Sequence, residues 1–274
     1  MFNIKDRLYI ATFQQDATAV AAEYGLGLEI NHTCISEDLD PDRRPALLEN
    51  INRDLDASGR FLMPLLHGPF TEIYPAAIDY RARKMAAERL EEAFEVCRCA
   101  GSKKMIVHTG WLPFIYFKDW QAEKGARFWH DFMADKPEDF TLLVENVLED
   151  EPYMLIDFMA HIAELSACKD GFIADGAVSK RIKLCLDVGH ANAMTGADLP
   201  VERWIELLGG LIGHFHLHNN DGTADTHSAF DEGAMDMDSV LSAIREHCSD
   251  DVTFTIEARD CRSCAEWLAS HGYI

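Results

Sequence analysis

Two hydrophobic periods alternate along the chain. Short apolar, β-branched runs recur at "RLYIAT" (7–12), "GLGLEIN" (25–31), "MPLLHGPF" (63–70), "KKMIVHTG" (103–110), "FTLLVENV" (140–147), "RIKLCLDVGHAN" (181–192), "LIGHFHLHNN" (211–220) and "DVTFTIEA" (251–258). Each reads as a strand. Stretches with helical spacing lie between them: 16–24, opened by Asp16 as a cap, then 79–100, 153–169, 201–210, 237–247 and 261–272. Eight strands alternating with about eight helices imply parallel strands joined by crossover helices. At 274 residues that order predicts an α/β fold, a closed (β/α)8 barrel forming one domain over 1–274. An open doubly wound sheet is disfavoured, because no G-x-G-x-x-G follows the first run.

Polar residues interrupt this pattern at one kind of place. The third to fifth runs end in His67, His108 and Glu145; the sixth ends in Asp187, with His190 just after it. The seventh carries His216 and His218, its loop adds Asp225 and His227, and the eighth ends in Glu257. In such a barrel, reactive side chains gather at the C-terminal ends of the strands, so six successive strands point to one shared site. The set contains imidazoles and carboxylates but no Lys or Arg. At close range these groups would repel and desolvate one another, a conflict that divalent cations resolve. With no cysteine among them, the donors are O and N, suiting Zn, Mn, Fe, Co or Mg, one to three ions. The strand period of two puts His214, His216 and His218 on one face. Residues two apart lie about 6.5 Å from each other, too far for all three to share one ion. His216 is the expected ligand. His218, nearer the loop, is expected at the substrate or behind a ligand, and His214 is expected as a satisfied core histidine. Asp225 and His227, with His190, could hold an additional metal.

Composition narrows the partners. The formal net charge of −22 repels nucleic acid and leaves small neutral or metal-chelating substrates unaffected. No apolar run reaches eighteen residues, so no membrane span is expected, and the opening "MFNIKDRLYIATF" lacks the pattern of a secretion signal. Of eight cysteines, Cys34, Cys168, Cys185 and Cys248 stand alone, Cys97 and Cys99 share a helix, and Cys261 and Cys264 form the one C-x-x-C pair. Reduced structural thiols in a cytoplasmic protein are expected, with a redox role for Cys261 and Cys264 the lesser reading. The aromatic run Trp111, Phe114, Tyr116, Phe117 and Trp120 after the fourth strand reads as packing on the barrel or on a second copy in a homo-oligomer. Its functional reading is a lid that excludes water. Trp111 and Phe70 are the substrate-binding candidates on that basis, and Tyr74 shares the ambiguity. Glu29 would touch a substrate hydroxyl or be structural.

The segments "LDVGHAN" (186–192), "HFHLHNNDG" (214–222), "DTHSAFDEGAMD" (225–236) and "TIEA" (255–258) resemble the xylose-isomerase-like TIM barrels. That superfamily includes sugar and sugar-phosphate isomerases and epimerases, and abasic-site nucleases of the endonuclease IV type. The resemblance runs from "LLHGPF" onward. Carried over from the epimerases, it implies one divalent metal held by Glu145, Asp187, His216 and Glu257, with Glu145 and Glu257 as the catalytic acid and base on a carbohydrate-like substrate. Carried over from the nucleases, it implies three zinc ions, with His67, His108, His190, Asp225 and His227 as further ligands. Glu232 resembles the Glu of a Gly-Glu-Gly turn, standing behind a ligand. The loop after the seventh strand lacks the Arg common in epimerases, and "DVGH" stands where the nucleases have "DTCH" and basic loops.

Overall fold

Eight parallel strands close on themselves in sequence order: β1 (Leu8–Ala11), β2 (Gly27–Ile30), β3 (Leu65–His67), β4 (Lys104–His108), β5 (Thr141–Glu145), β6 (Ile182–Asp187), β7 (Ile212–Leu217) and β8 (Thr253–Ile256). β8 pairs back onto β1, with Tyr9 opposite Thr255. The computed structural model describes residues 2–167 and 177–274. Ten α-helices occur among them: α1 (Ala17–Tyr24), α2 (Arg44–Ser58), α3 (Tyr80–Cys99), α4 (Lys118–Met133), α5 (Tyr153–Ala167), α6 (Ala177–Arg181), α7 (Val188–Thr195), α8 (Val201–Leu208), α9 (Met237–His247) and α10 (Cys261–Ser270). The chain is thus a single-domain (β/α)8 barrel.

Four helices escape the sequence reading: α2, α4 and the short α6 and α7. In α2 the buried residues Leu47, Ile51 and Leu55 recur every four positions behind Pro45, but long polar stretches between them mask the stripe. α4 takes up the end of the aromatic run and buries Ala122, Ala126, Trp129 and Met133. The run 181–192 is a strand only as far as Asp187. There the Asp187 carboxylate accepts the His190 backbone N–H at 2.7 Å and starts α7, a side-chain cap. Asp16 precedes α1 as expected, but its carboxylate makes no cap bond and instead lies 3.6 Å from Arg262 Nε.

Strand alternation sorts the core. Leu8, Ile10, Leu28, Ile30, Val107, Val144, Leu186, Phe215 and Phe254 face outward into the main apolar core with the helices. Inside the barrel a smaller cluster of Tyr9, Leu65, Ile106, Leu143 and Cys185 forms a floor. Two residues beyond the last four stand His67, His108, Glu145 and Asp187, so the same inward face that is apolar below becomes ionisable above. Cys261 and Cys264 are free, buried thiols in the core, and burial pushes both upward. That environment disfavours thiolate chemistry. Cys168 lies outside the described residues. Among the described residues no helix is long and apolar enough to cross a membrane.

Candidate metal centre

The deepest cluster unites Glu145, Asp187, His216 and Glu257, which can each offer a donor atom within 4.8 Å of the others. His216 Nδ1 stands 3.2 Å from Glu145 Oε1, 3.4 Å from Glu257 Oε2 and 3.7 Å from Asp187 Oδ2. Among the described residues it has no hydrogen-bond partner. A fully buried nitrogen facing three carboxylates, without a bond to any of them, is arranged for a cation between them. The donors are hard oxygen and borderline nitrogen, which fits a divalent ion.

Two further clusters adjoin it. His67, His108 and Glu145 form one, with His67 Nε2 and His108 Nε2 at 3.2 and 3.4 Å from Glu145 Oε2. Glu145 therefore belongs to two groups. His190, His218, Asp225 and His227 form the other. There His227 Nε2 and His190 Nε2 lie 3.1 and 3.4 Å from Asp225 Oδ2, and His218 Nε2 lies 3.0 Å from Asp187 Oδ1. Three of these rings are aimed by backbone carbonyls. A carbonyl only accepts, so the nitrogen beside it carries the proton. His67 Nδ1 donates to Gly68 O, His190 Nδ1 to Asn146 O and His227 Nδ1 to Glu257 O, each at 2.9 Å. Each ring is left with Nε2 turned toward the carboxylates.

Local sequence explains these placements. Asn146, directly after Glu145, accepts the Asp187 N–H at 2.8 Å and donates to Asp187 O at 3.1 Å, joining the ends of β5 and β6. Gly189 makes room for His218: a Cβ there would stand 1.9 Å from the ring. The loop after β7 is folded back by two backbone bonds between Asn219 and Ser228. That return holds His227 at a left-handed φ of 50°, a strain typical of functional positions.

Electrostatics follow from crowding without Lys or Arg. Burial and the neighbouring Glu29, Glu145 and Asp187 carboxylates push Glu257 up to about 7, against the pull of His216. Burial also raises Glu145, but the nearby charges, those of His216 and His108 foremost, outweigh it and hold it well below the carboxylate range. Burial alone would lower His67, His190 and His216; nearby anionic groups instead hold all three well above 6.5. Burial takes His108 down to about 3.

The expected residues do not all meet at this site. A mouth cavity of about 470 Å³ is lined by Phe13, Phe70 and Val147 above the His and carboxylate donors. Phe70 stacks on His108 with centroids 4.4 Å apart. Trp111 is absent from that lining. It is buried in its own loop, where Nε1 donates to Tyr116 O at 2.9 Å, and the loop turns Phe114 and Phe117 to solvent. Tyr74 is half-buried and also lies outside the mouth. His218, expected at the substrate or behind a ligand, is fully buried within the third cluster. Glu232 is exposed rather than standing behind a ligand; its neighbour Gly233 packs where a Cβ would be 2.1 Å from Asn219 Oδ1. His214 is fully buried between the Thr253 and Thr255 hydroxyls at 2.7 and 3.0 Å. Glu29, at the end of β2, is fully buried against His216.

Two residues add to the sequence reading. Cys185 groups with His214 and His216, and the strand period, two positions before Asp187, was the signal for it. Cys34 lines the mouth beside His67 from a loop with no periodic signal.

A family model described as xylose isomerase-like TIM barrel matches residues 19–271. An uncharacterized protein of Methanocaldococcus jannaschii, MJ1311, is 25% identical over 226 residues, 80% of this chain and 72% of that protein. Among solved structures, a D-tagatose 3-epimerase-like protein superposes with TM-score 0.69 at 20% identity, over 97% of this chain and 96% of the other. The TTHB071 protein of Thermus thermophilus, soaked with ZnCl2, gives 0.67 at 20% identity over 96% of each chain. The 3-keto-D-glucoside 4-epimerase YcjR of E. coli gives 0.65 at 13% identity, over 98% and 99%. At these identities the three structures speak to the fold.

Proposed function

The chain belongs to the xylose isomerase-like TIM barrel family, and from that premise we propose that it is a divalent-metal-dependent isomerase or epimerase of a small carbohydrate-like substrate. The observation that carries the reading is the unpartnered His216 Nδ1 enclosed by Glu145, Asp187 and Glu257. An ion held by these four residues would supply Lewis acidity beside a carbonyl and its neighbouring hydroxyl. Glu145 and Glu257 flank His216 Nδ1 at 3.2 and 3.4 Å and are the pair that removes the carbon-bound proton and returns one. Phe13, Phe70 and Val147 line the mouth with apolar surface beside the donors. Among the described residues no Lys or Arg lines the mouth, which favours an unphosphorylated sugar over a sugar phosphate. Epimerase descriptions among the structures of this fold support the same class.

The test is solvent exchange. With Mn2+ or Zn2+ and a panel of free ketoses in D2O, the protein is expected to incorporate deuterium next to the carbonyl, and Glu257→Gln is expected to stop it with the fold intact. Undiminished exchange in that variant overturns the assignment of Glu257.

A second reading rests on the two adjoining clusters, which offer more donors than one ion uses. Metal-dependent hydrolysis of a phosphate ester, with a multinuclear zinc centre, would use all of them. Three tightly bound zinc ions per chain, together with phosphoester cleavage, would put this reading first. The net charge of −22 opposes nucleic acid as the ester.

A further inference from the structure

Below the four-donor cluster lies a buried carboxylate that the proposed chemistry leaves idle. Glu29 is 0% exposed. Its Oε2 is 3.2 Å from His216 Nε2 and 3.6 Å from His214 Nε2, and its Oε1 accepts from Asn31 Nδ2 at 3.2 Å. Among the described residues, these two histidines are its ion-pair partners within 4 Å. His214 is already engaged, with one threonine hydroxyl on each ring nitrogen. Asn31 is itself fixed: its Oδ1 accepts the Thr12 N–H at 2.8 Å, and its own N–H is accepted by Thr12 Oγ1 at 2.9 Å. A hydrogen-bonded chain thus runs from the end of β1 through Asn31 and Glu29 to one edge of the His216 ring.

A neutral imidazole carries one proton on one of its two nitrogens, and a carboxylate can only accept. Nε2, beside Glu29, therefore holds the proton. Nδ1 keeps its lone pair, and Nδ1 is the atom enclosed by Glu145, Asp187 and Glu257. The opposite tautomer would set a lone pair against the Glu29 carboxylate in a buried site. We infer that Glu29 is a positioning residue: it holds His216 with Nε2 protonated and so presents Nδ1 to a divalent ion in the cluster. A carboxylate behind a ligating histidine also raises the basicity of the ligand. The inference rests on the metal-centre reading above, with Glu29 acting on the ion through His216.

Zinc binding without substrate tests it. Chelator-stripped wild type, Glu29→Gln and His216→Gln are titrated with Zn2+ against a competing chelator, with circular dichroism as the check on folding. Glu29→Gln is expected to weaken zinc about 10- to 100-fold, because the amide lacks the charge and can donate to Nε2, reversing the tautomer. If wild type and His216→Gln bind zinc equally, or neither binds it, the metal-centre reading fails. If His216→Gln weakens zinc but folded Glu29→Gln binds within about twofold of wild type, the metal centre stands and the role of Glu29 is refuted. A direct measurement needs no variant. In zinc-loaded wild type carrying ¹⁵N-histidine, His216 is expected to show a protonated Nε2 and a zinc-bound Nδ1. A zinc-bound Nε2 would overturn the inference.

Discussion

Replacing Glu257 by Gln is expected to stabilise the metal-free protein at alkaline pH. Without a cation, Glu257 shares its site with Glu29, Glu145 and Asp187, and burial and those charges place its folded pKa at about 7 against an ordinary 4.5. The sign follows from proton linkage. A carboxyl with a raised folded pKa binds its proton more tightly in the native state, so its contribution is fully present below about 4.5 and is lost as pH rises through about 7. At about 1.36 kcal/mol per pH unit, the gap between 4.5 and about 7 corresponds to roughly 3 kcal/mol of lost stability at pH 8. At pH 5 the same relation leaves a loss of about 1 kcal/mol. Gln matches the protonated carboxyl in shape and does not titrate, so the variant avoids the loss. At roughly 2 °C per kcal/mol for a chain of this length, the gain at pH 8 is about 6 °C in Tm. The assay is urea unfolding of chelator-treated wild type and Glu257→Gln at pH 5 and pH 8. With Zn2+ present the order is expected to invert, because the variant has lost a carboxylate ligand. A metal-free variant no more stable than wild type at pH 8, or equally stabilised at both pH values, would refute the reasoning.

Zinc uptake at pH 7 is expected to release protons, since His67, His190 and His216 sit well above 6.5 and His227 at about 9 in the metal-free site and ligating imidazoles must be neutral. Calorimetry in two buffers of different ionisation enthalpy reads the number released, affinity should rise from pH 6 to pH 9, and no net release would contradict the site. Gly189→Ala is expected to cost about 1–3 kcal/mol by overpacking and to displace His218 from Asp187, since the added Cβ would lie 1.9 Å from the ring; urea unfolding checks it, and unchanged stability would show that the ring moves freely.

The barrel was readable because eight short apolar runs recur in order along the chain, most of them separated by stretches with helical spacing. Helix α2 was lost where Leu47, Ile51 and Leu55 are diluted by Glu49, Asn50, Asn52, Arg53 and Asp54: the buried stripe is narrow, and most of that helix faces water. The ionisable ring could be located because strand ends are positions in sequence as well as in space. What sequence could not supply is loop trajectory. Trp111 follows β4 as closely as Phe70 follows β3, yet one folds into its own loop and the other stacks over His108. Glu232 lies in the loop after β7 and is exposed, a direction that the order of residues does not encode. Glu29 was visible as a strand-end carboxylate, but its partner His216 is 187 positions away, and only barrel closure makes them neighbours.

Four histidines of the clusters, His67, His190, His227 and His216, are oriented by two different devices. His67, His190 and His227 lie at the rim, at or beyond the last paired residues, where backbone carbonyls are free of the sheet. Gly68 O, Asn146 O and Glu257 O each take an Nδ1 proton there. His216 lies inside β7, paired with Asp187 on one side and Thr255 on the other. Carbonyls at that level are committed to the ladder, so the acceptor behind this ring has to be a side chain. An anionic acceptor there would also raise the donor strength of His216 toward an ion, and Glu29 is the carboxylate at that position. The rim donors are therefore insensitive to substitution of their hydrogen-bond partners, because a side-chain change leaves a backbone carbonyl in place. Orientation of the deep donor depends on one residue, so substitutions at Glu29 are expected to weaken the innermost ion more than the two rim clusters.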